Sequence, residues 1–386
     1  MVPFPTLNPE RFEQARAVLR TAVEQRAFPG AVLAVGHQGK LAVLPLGRLT
    51  YADDASAVAP DTIYDLASLT KVVATTTAAM ILVERGLLPL DRPVAFYLPD
   101  FIEPYDTAAD PLWAARGEVT VRHLLAHTSG LPAYEQFFLR AREKSHVIEE
   151  ALALPLEEAP GRKTLYSDVG FILLGEIIER ASKQSLDVFC EKEIFAPLGM
   201  KDTRFNPPQP VWERIAPTEQ DNEFRKRLVR GEVHDENAWV MGGVAGHAGL
   251  FGTAGDLASF CRMMLAGGKA PSEDAAQIVQ PATIAEFTRA WPPVRSFGVG
   301  RPAAESSPRG LGWDKPSEPS SCGRHFSAAS YGHLGFTGTS LWIDPEKDWF
   351  VILLTNRVHP SRTNEAIRQV RPAVHDAVVE ALTTNP

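Results

Sequence analysis

A serine and a lysine whose side chains can react together lie three positions apart in this sequence. Ser68 and Lys71 come just before an apolar segment of small residues, 72–85, which Gly86 is suited to end. If a buried helix begins near Ser68, both side chains project from one face of its first turn. Serine is a weak nucleophile, and an amine that is neutral part of the time can accept its proton. The same spacing is also typical of a capped helix start with a lysine that reaches solvent.

A second polar group precedes another apolar segment. Tyr166, Ser167 and Asp168 come directly before residues 169–180, which form an apolar helical pattern. This repeats the arrangement at Ser68, with polar side chains at the start of a buried helix. The structural alternative is that Ser167 or Asp168 caps the helix and Tyr166 packs at its beginning.

Two histidines have the spacing of metal ligands. His123 and His127 are four residues apart in a predicted helix over 119–132, with Thr120 as its cap. The glutamate of the HExxH pattern is missing, and no third ligand is indicated nearby. We therefore predict packing or loop hydrogen bonds for both histidines, no metal site and no cofactor. A metal-dependent amidase built on this pair is the weaker alternative.

The helices and strands that must position these groups can be predicted from the sequence. Their order indicates a mixed α/β (α+β) fold, with an antiparallel sheet flanked by helices and an all-helical lobe. Between about 75 and 200 helical patterns dominate. In chain order, the other predicted elements are a helix at 9–26, strands at 31–36, 41–44, 330–335, 339–344 and 349–356, and a helix at 364–382. A chain of 386 residues exceeds the usual single core. We expect a single catalytic domain, 1–386, whose sheet lobe comprises 1–74 and about 245–386 and whose helical lobe comprises about 75–244.

Several connecting segments have distinctive composition. Residues 233–238 are polar enough for a surface or cleft loop, and residues 242–253 are dense in glycine, which permits close backbone approach. Thr253 and Asp256 resemble a capping box, with Asp in place of the usual Glu.

Residues 297–329 predict a long mobile loop around a short strand at 310–313. This loop and residues 207–240 carry no motif for a substrate. The natural substrate and the oligomeric state therefore stay open at this stage.

Composition excludes several classes of function. The net charge of −8 and the lack of a basic, aromatic-interleaved stripe argue against nucleic acid as a partner. The three cysteines, Cys190, Cys261 and Cys322, are widely spaced, which predicts neither disulfides nor a zinc knuckle. No segment reaches transmembrane length and no leader pattern is visible, so we expect a cytoplasmic protein, or a periplasmic or secreted one if a leader was removed. A small molecule or a peptide is the expected partner.

Taken together, three motifs resemble those of the serine beta-lactamase and penicillin-binding-protein superfamily, in its class C beta-lactamase-like branch. Ser68-Leu69-Thr70-Lys71 matches the SxxK motif, and Tyr166-Ser167-Asp168 resembles the YxN motif with Asp in the Asn position. His333-Leu334-Gly335 stands where the family has KTG. The order of the motifs and their helical and strand contexts agree over roughly residues 20–380. Residues 233–238 together with 243–251 resemble a subgroup of penicillin-binding-protein-like hydrolases of peptidoglycan type.

The resemblance implies a two-step acyl transfer. Ser68 would attack a carbonyl, Lys71 and Tyr166 would share the proton transfers, and water would release the acyl group. The oxyanion hole would consist of the backbone N–H groups of Ser68 and Phe336, the residue after the third motif. Asp168, His333 and Gly335 would complete the substrate-binding edge.

Differences from the family pattern indicate the substrate. Asp168 puts a carboxylate where the family has an amide, so it would either keep Lys71 protonated, which shifts the base role to Tyr166, or bind an ammonium group of the substrate. His333 and Leu334 replace a cation and a hydroxyl that help to recognise a carboxylate. We therefore expect hydrolysis of esters or of D-amino acid amide and peptide bonds. A true beta-lactamase and a non-catalytic protein that binds cell-wall ligands are the alternatives.

Overall fold

The computed structural model describes residues 4–102, 112–271, 276–291, 308–317 and 320–384. The strands are β1 (Gly30–His37), β2 (Lys40–Gly47), β3 (Tyr64–Asp65), β4 (Arg204–Phe205), β5 (Gln220–Asp221), β6 (Arg227–Leu228), β7 (Leu250–Gly252), β8 (Tyr331–Leu334), β9 (Ser340–Asp344) and β10 (Trp349–Thr355). The α-helices are α1 (Glu13–Glu24), α2 (Thr77–Glu84), α3 (Val94–Tyr97), α4 (Val121–Leu125), α5 (Lys144–Ala153), α6 (Asp168–Ser182), α7 (Leu186–Cys190), α8 (Ala196–Leu198), α9 (Glu236–Val240), α10 (Ala254–Leu265), α11 (Pro281–Thr288) and α12 (Ile367–Thr383). Lys71–Thr76 and Glu191–Phe195 are π-helical turns.

The main sheet joins the two ends of the chain. Its strand order is β2-β1-β10-β9-β8, and every neighbouring pair is antiparallel. Each of these strands lies within a few residues of its predicted position, so the expected antiparallel sheet with flanking helices is confirmed.

Alternate side chains of β1 and β10 face two different cores. Val32 and Ile352 point toward the core that contains the helices after β3, whereas Leu33 and Leu353 pack in the core with α1 and α12. Successive side chains of a strand point to opposite faces, and both faces of this sheet are covered. This explains why these two strands are apolar at almost every position.

The helix after the Ser68 motif is buried along its length, as predicted. Every residue from Lys71 to Leu82 is buried. Gly86, with φ 71°, then ends α2, and the Leu87 N–H donates to the Leu82 carbonyl across that turn. This is the Schellman arrangement, in which glycine accepts the left-handed conformation without a Cβ penalty. The predicted stop at Gly86 is confirmed.

The predicted helix over 119–132 is shorter in the structure. Thr120 caps α4 and exchanges hydrogen bonds with His123, but the helix ends at Leu125. His127 follows in the left-handed region, with φ 56°. The prediction that His123 and His127 share one helical face is therefore wrong.

Three predictions for connecting segments also need correction. Residues 233–238 are mostly buried and line the cavity at His234–Glu236, so the cleft alternative holds and the surface one does not, and α9 begins within them at Glu236. The Thr253 hydroxyl accepts the Asp256 N–H as expected, but the Asp256 carboxylate accepts from Thr203 instead of returning to the cap.

In the described segment 308–317, Leu311 and Gly312 form a bend, and residues 310–313 contain no strand. Of the predicted mobile loop at 297–329, residues 297–307 and 318–319 lie outside the described residues.

The remaining expectations concern the lobes, the cysteines and the membrane. From α2 to α8 the described chain is mainly helical, and the division into two lobes at about 75 and 244 stays a prediction. The three cysteines are buried and free, as the sequence indicated. Within the ranges that the structure describes, no helix has the length and hydropathy needed to cross a bilayer.

Candidate active site

Ser68 lies at the end of a strained turn between β3 and the buried helix. Ala67 has φ 48°, a conformation that costs an alanine roughly 1–3 kcal/mol. The turn is stabilised by the Asp65 carboxylate, which accepts the Ala67 N–H at 2.8 Å, and by the Leu66 N–H, which donates to the Leu250 carbonyl of β7. These contacts place the partly exposed Ser68 hydroxyl at the head of the helix.

Lys71 is fully buried, and its ammonium group has three acceptors. Its Nζ lies 3.0 Å from Ser68 Oγ, 2.9 Å from the His247 carbonyl and 2.6 Å from Asp168 Oδ1. An ammonium has three donors and no acceptor, so these contacts match its protonated form. Burial lowers the pKa of Lys71, but Asp168 and Tyr166 together outweigh this and hold the pKa above its ordinary value.

Tyr166 is brought to this pair by the segment that follows α4. The Leu165 N–H donates to the His127 carbonyl, and the Ser167 N–H donates to His127 Nδ1 at 3.0 Å. The rings of His127 and Tyr166 pack with their centroids 4.7 Å apart. Burial raises the pKa of the Tyr166 hydroxyl, while contacts with Lys71 and Ser68 act in the opposite direction. Tyr166 therefore remains a phenol at neutral pH.

Ser167 and Asp168 have different functions in this turn. The Ser167 hydroxyl accepts the Gly170 N–H and caps α6, as one predicted alternative had it. Asp168 takes no part in the cap and forms an ion pair with Lys71. This pair corresponds to the first role considered for its carboxylate, which is to keep Lys71 protonated.

The edge strand β8 forms the opposite wall. His333 is buried, and burial lowers its pKa to about 4, so the imidazole is neutral at pH 7. Its Nδ1–H donates to the Leu334 carbonyl. Gly335 follows where a Cβ would lie 2.7 Å from the Leu66 carbonyl, which only glycine avoids. This close approach brings β8 to the Ser68 turn.

Two backbone donors are available beside Ser68. In the described part of the chain, neither the Ser68 N–H nor the Phe336 N–H donates a hydrogen bond to the protein. The turn that carries Phe336 is tied to the serine segment, because Thr337 Oγ1 donates to the Asp65 carbonyl and Thr339 Oγ1 donates to the Leu66 carbonyl.

A cavity of about 850 Å³ opens over these groups. Its lining includes all the predicted site residues except the buried Lys71, which reaches Ser68 from below. Among the lining residues that were not predicted from the sequence are Asp235 and His247. Asp235 Oδ1 lies 2.9 Å from His247 Nε2, and the pair connects two segments that were noted in the sequence only as polar and glycine-dense. His247 contributes to the Lys71 site through a backbone carbonyl, which no residue type reveals.

The two histidines once considered as metal ligands have other partners. His123 accepts at the α4 cap, and His127 supports the Tyr166 segment. Among the described residues, no group of three or more His, Cys, Asp or Glu side chains is arranged to hold a metal ion.

The sequence and the fold were compared with those of known proteins, and the comparisons relate this chain to one family. The Beta-lactamase family model matches residues 15–375. A relative from Salmonella agona (strain SL483), named "Putative D-alanyl-D-alanine carboxypeptidase", is 35% identical over 330 residues, which cover 80% of this chain and 72% of that protein.

Two solved structures have the same fold. EstCE1, described as a hydrolase with promiscuous acyltransferase activity, has a TM-score of 0.74 at 20% identity, with 96% of this chain and 98% of that chain covered. A penicillin-binding protein homologue from Caulobacter crescentus has a TM-score of 0.73 at 21% identity, with 98% and 100% covered.

The ion pair generates a first prediction. In Asp168→Asn, burial of Lys71 is no longer opposed by a carboxylate, so the pKa of Lys71 should fall below the ordinary lysine value of about 10.4. NMR titration of ¹⁵Nζ-labelled lysine, with the signal assigned through Lys71→Arg, measures this directly. Asp314→Asn, which removes a cavity carboxylate paired with Arg309, is the control and should leave the titration unchanged. A Lys71 titration that is the same in Asp168→Asn and wild type would contradict the prediction.

Proposed function

Because the chain belongs to the beta-lactamase family, we propose that it is a serine hydrolase that cleaves esters or D-amino acid amide and peptide bonds through an acyl-enzyme on Ser68. The observation that carries the proposal is the contact of Ser68 Oγ with Lys71 Nζ at 3.0 Å, with the Tyr166 hydroxyl beside both, at the base of a cavity. A nucleophile (Ser68), a proton carrier (Tyr166) and a cation (Lys71) thus lie together at a position that a substrate in the cavity can reach.

The proton transfers follow from the charges of the resting site. Lys71 is held as an ammonium by Asp168, so it has no lone pair with which to accept the Ser68 proton. In acylation, Ser68 Oγ forms a bond to the substrate carbonyl carbon while its proton passes to the Tyr166 oxygen. Tyr166 in turn gives its own proton to the leaving-group atom as the bond to that atom breaks. Lys71 stabilises the negative charge that develops on Ser68 Oγ.

Deacylation reverses the same relay. A water molecule takes the place of the leaving group, gives a proton to Tyr166 and attacks the acyl carbon, while Tyr166 returns its proton to Ser68 Oγ as the ester bond breaks. In both steps the carbonyl oxygen becomes negative. The N–H groups of Ser68 and Phe336 are the donors we assign to it, since neither is used elsewhere in the described chain.

The wall at β8 supports the choice of substrate. A substrate carboxylate placed there would meet the neutral imidazole of His333 and the aliphatic side chain of Leu334. Both the permanent cation and the hydroxyl of the family pattern are missing at these positions. Neutral esters and D-amino acid amides have no carboxylate that needs these two groups. Penicillins and cephalosporins have one, and without the cation and the hydroxyl it lacks the contact that orients the molecule. The carboxypeptidase name of the Salmonella relative supports cleavage of bonds next to D-residues, and the neutral wall favours those substrates among them that lack a C-terminal carboxylate.

The central test is covalent labelling of Ser68. Incubation with a fluorophosphonate should add one label per chain by intact mass, and wild type should turn over a p-nitrophenyl ester. Ser68→Ala should remain folded, take up no label and lose turnover, because the nucleophilic oxygen is gone. Ser129→Ala, a buried serine hydroxyl outside the cavity lining, is the control variant. Labelling or turnover of Ser68→Ala at the wild-type rate would refute the assignment.

The role of Tyr166 gives a separate prediction. Tyr166→Phe keeps the ring that packs on His127 and removes only the hydroxyl. As the proton carrier, Tyr166 should contribute on the order of 10²-fold or more to kcat. Steady-state kinetics with an alkyl ester measure this loss. If the residue serves only in packing, kcat will stay within a few-fold of wild type.

A further prediction concerns the order of substrates. Short-chain esters and D-amino acid amides should have higher kcat/KM than benzylpenicillin, which should at most acylate Ser68 slowly. Replacing His333 by Lys should raise the rate of acylation by benzylpenicillin, since it restores a cation at the wall. A ranking with benzylpenicillin or nitrocefin clearly first would support the beta-lactamase alternative instead.

A further inference from the structure

A mostly buried arginine on the last helix, which also lines the cavity, contacts a peptide group of the proposed oxyanion hole. Arg371 lies on α12, and its side chain is only 7% exposed. Its Nη2 donates to the Gly335 carbonyl and to the Thr339 carbonyl, both at 2.7 Å. No carboxylate of the described residues forms an ion pair with it. A buried cation that is directed at two backbone carbonyls needs an explanation, because its desolvation is costly.

The Gly335 carbonyl belongs to the same peptide group as the Phe336 N–H. We propose that Arg371 is a positioning residue that holds this peptide group in the orientation in which its N–H points at the substrate oxyanion. The proposal rests on the proposed function, which assigns the Phe336 N–H to the oxyanion hole. Arg371 itself touches neither Ser68 nor the reacting carbonyl in this arrangement.

The need for such a contact follows from the glycine. Gly335 must lack a Cβ, since one would lie 2.0 Å from Thr339 Oγ1 and 2.7 Å from the Leu66 carbonyl. A peptide group next to glycine rotates more freely than others. Rotation by half a turn would place the Gly335 carbonyl in the hole and repel the oxyanion. A charge-assisted hydrogen bond to that carbonyl makes the rotated state costly.

The same contact increases the strength of the donor. Hydrogen bonds in series polarise one another in a low-dielectric interior, so a cation at the carbonyl makes the N–H of that peptide a better donor. Burial and the neighbouring Arg357 lower the pKa of Arg371 to about 9, which leaves the guanidinium charged at neutral pH. Arg357 contacts the next peptide group, because its Nε–H donates to the Phe336 carbonyl at 2.7 Å.

Besides Arg371, the Gly335 carbonyl accepts a neutral hydrogen bond from the Gly338 N–H at 3.1 Å, and the threonine contacts of the turn fix its position. Thr337 and Thr339 tie the turn to the segment before Ser68. Thr355 Oγ1 donates to the Gly338 carbonyl at 3.1 Å. Loss of the Thr355 contact weakens the turn but leaves the Gly335 carbonyl and its arginine in place, which makes Thr355→Val a matched control.

The test compares Arg371→Met, Arg371→Gln and Thr355→Val with wild type. Arg371→Met should lower kcat for a p-nitrophenyl ester by about 10- to 100-fold, somewhat less than the loss of an oxyanion donor itself, with KM within about 3-fold. Affinity for phenylboronic acid, whose adduct with Ser68 carries a tetrahedral oxyanion, should fall by a similar factor. Arg371→Gln, which retains a donor without the charge, should be intermediate, and Thr355→Val should match wild type in both measurements.

Circular dichroism and thermal unfolding identify which variants are folded. If Arg371→Met does not fold, the kcat and the phenylboronic acid affinity of Arg371→Gln provide the test. Addition of guanidinium ion at non-denaturing concentration should restore part of the kcat of Arg371→Met. Folded Arg371 variants with wild-type kcat and boronate affinity overturn the proposal. Wild type that shows no Ser68-dependent turnover or labelling would instead overturn the proposed function.

Discussion

The ion pair between Lys71 and Asp168 is the constraint on which the site depends. A fully buried ammonium is stable only if each of its three donors has an acceptor, and here the acceptors come from three separate parts of the chain. Ser68 lies one helical turn away, Asp168 begins α6, and the His247 carbonyl lies just before β7. The fold must bring these segments together around one nitrogen atom. The pairing of β7 with β3 does this for His247, and the packing of the His127 segment against residues 165–168 does it for Asp168.

A second constraint is the distance between the sheet edge and the serine turn. Gly335 approaches the Leu66 carbonyl so closely that no side chain fits between them. The threonines of the following turn bond to the same segment. The distance between Ser68 and β8 is therefore set by contacts to the backbone rather than by the side chains that line the cavity. This explains how His333 and Leu334 can differ from the family pattern while the architecture of the site is retained.

Sequence patterns predicted the parts of the structure that local rules determine. The period of two in the strands, the apolar helix after Lys71 and the spacing of Ser68 and Lys71 all depend on near neighbours in the chain. The stop of α4 at the left-handed His127 has the hydrogen bonds of a Schellman motif, with the Thr128 N–H donating to the His123 carbonyl, but a histidine stands where glycine is usual, so the residue type gave no signal. The contacts of the His247 carbonyl with Lys71 and of Arg371 with Gly335 could not be predicted from the sequence either. A backbone carbonyl carries no residue identity, and an arginine 36 positions from its partner has no recognisable spacing.

An aspartate in place of the family's asparagine changes the route of the proton more than it changes the shape of the site. In the proposed mechanism, Lys71, paired with the Asp168 carboxylate, supplies charge but does not accept a proton, and Tyr166, held as a phenol, accepts one only by releasing its own. Attack by Ser68 and protonation of the leaving group are then linked in a single relay. Such a relay assists leaving groups that need a proton in order to depart, such as amide nitrogens and alkoxides, more than it assists those that leave as stable anions. The charge state of one buried pair thus favours amide and alkyl ester bonds, the same bonds that the neutral wall at His333 leaves accessible.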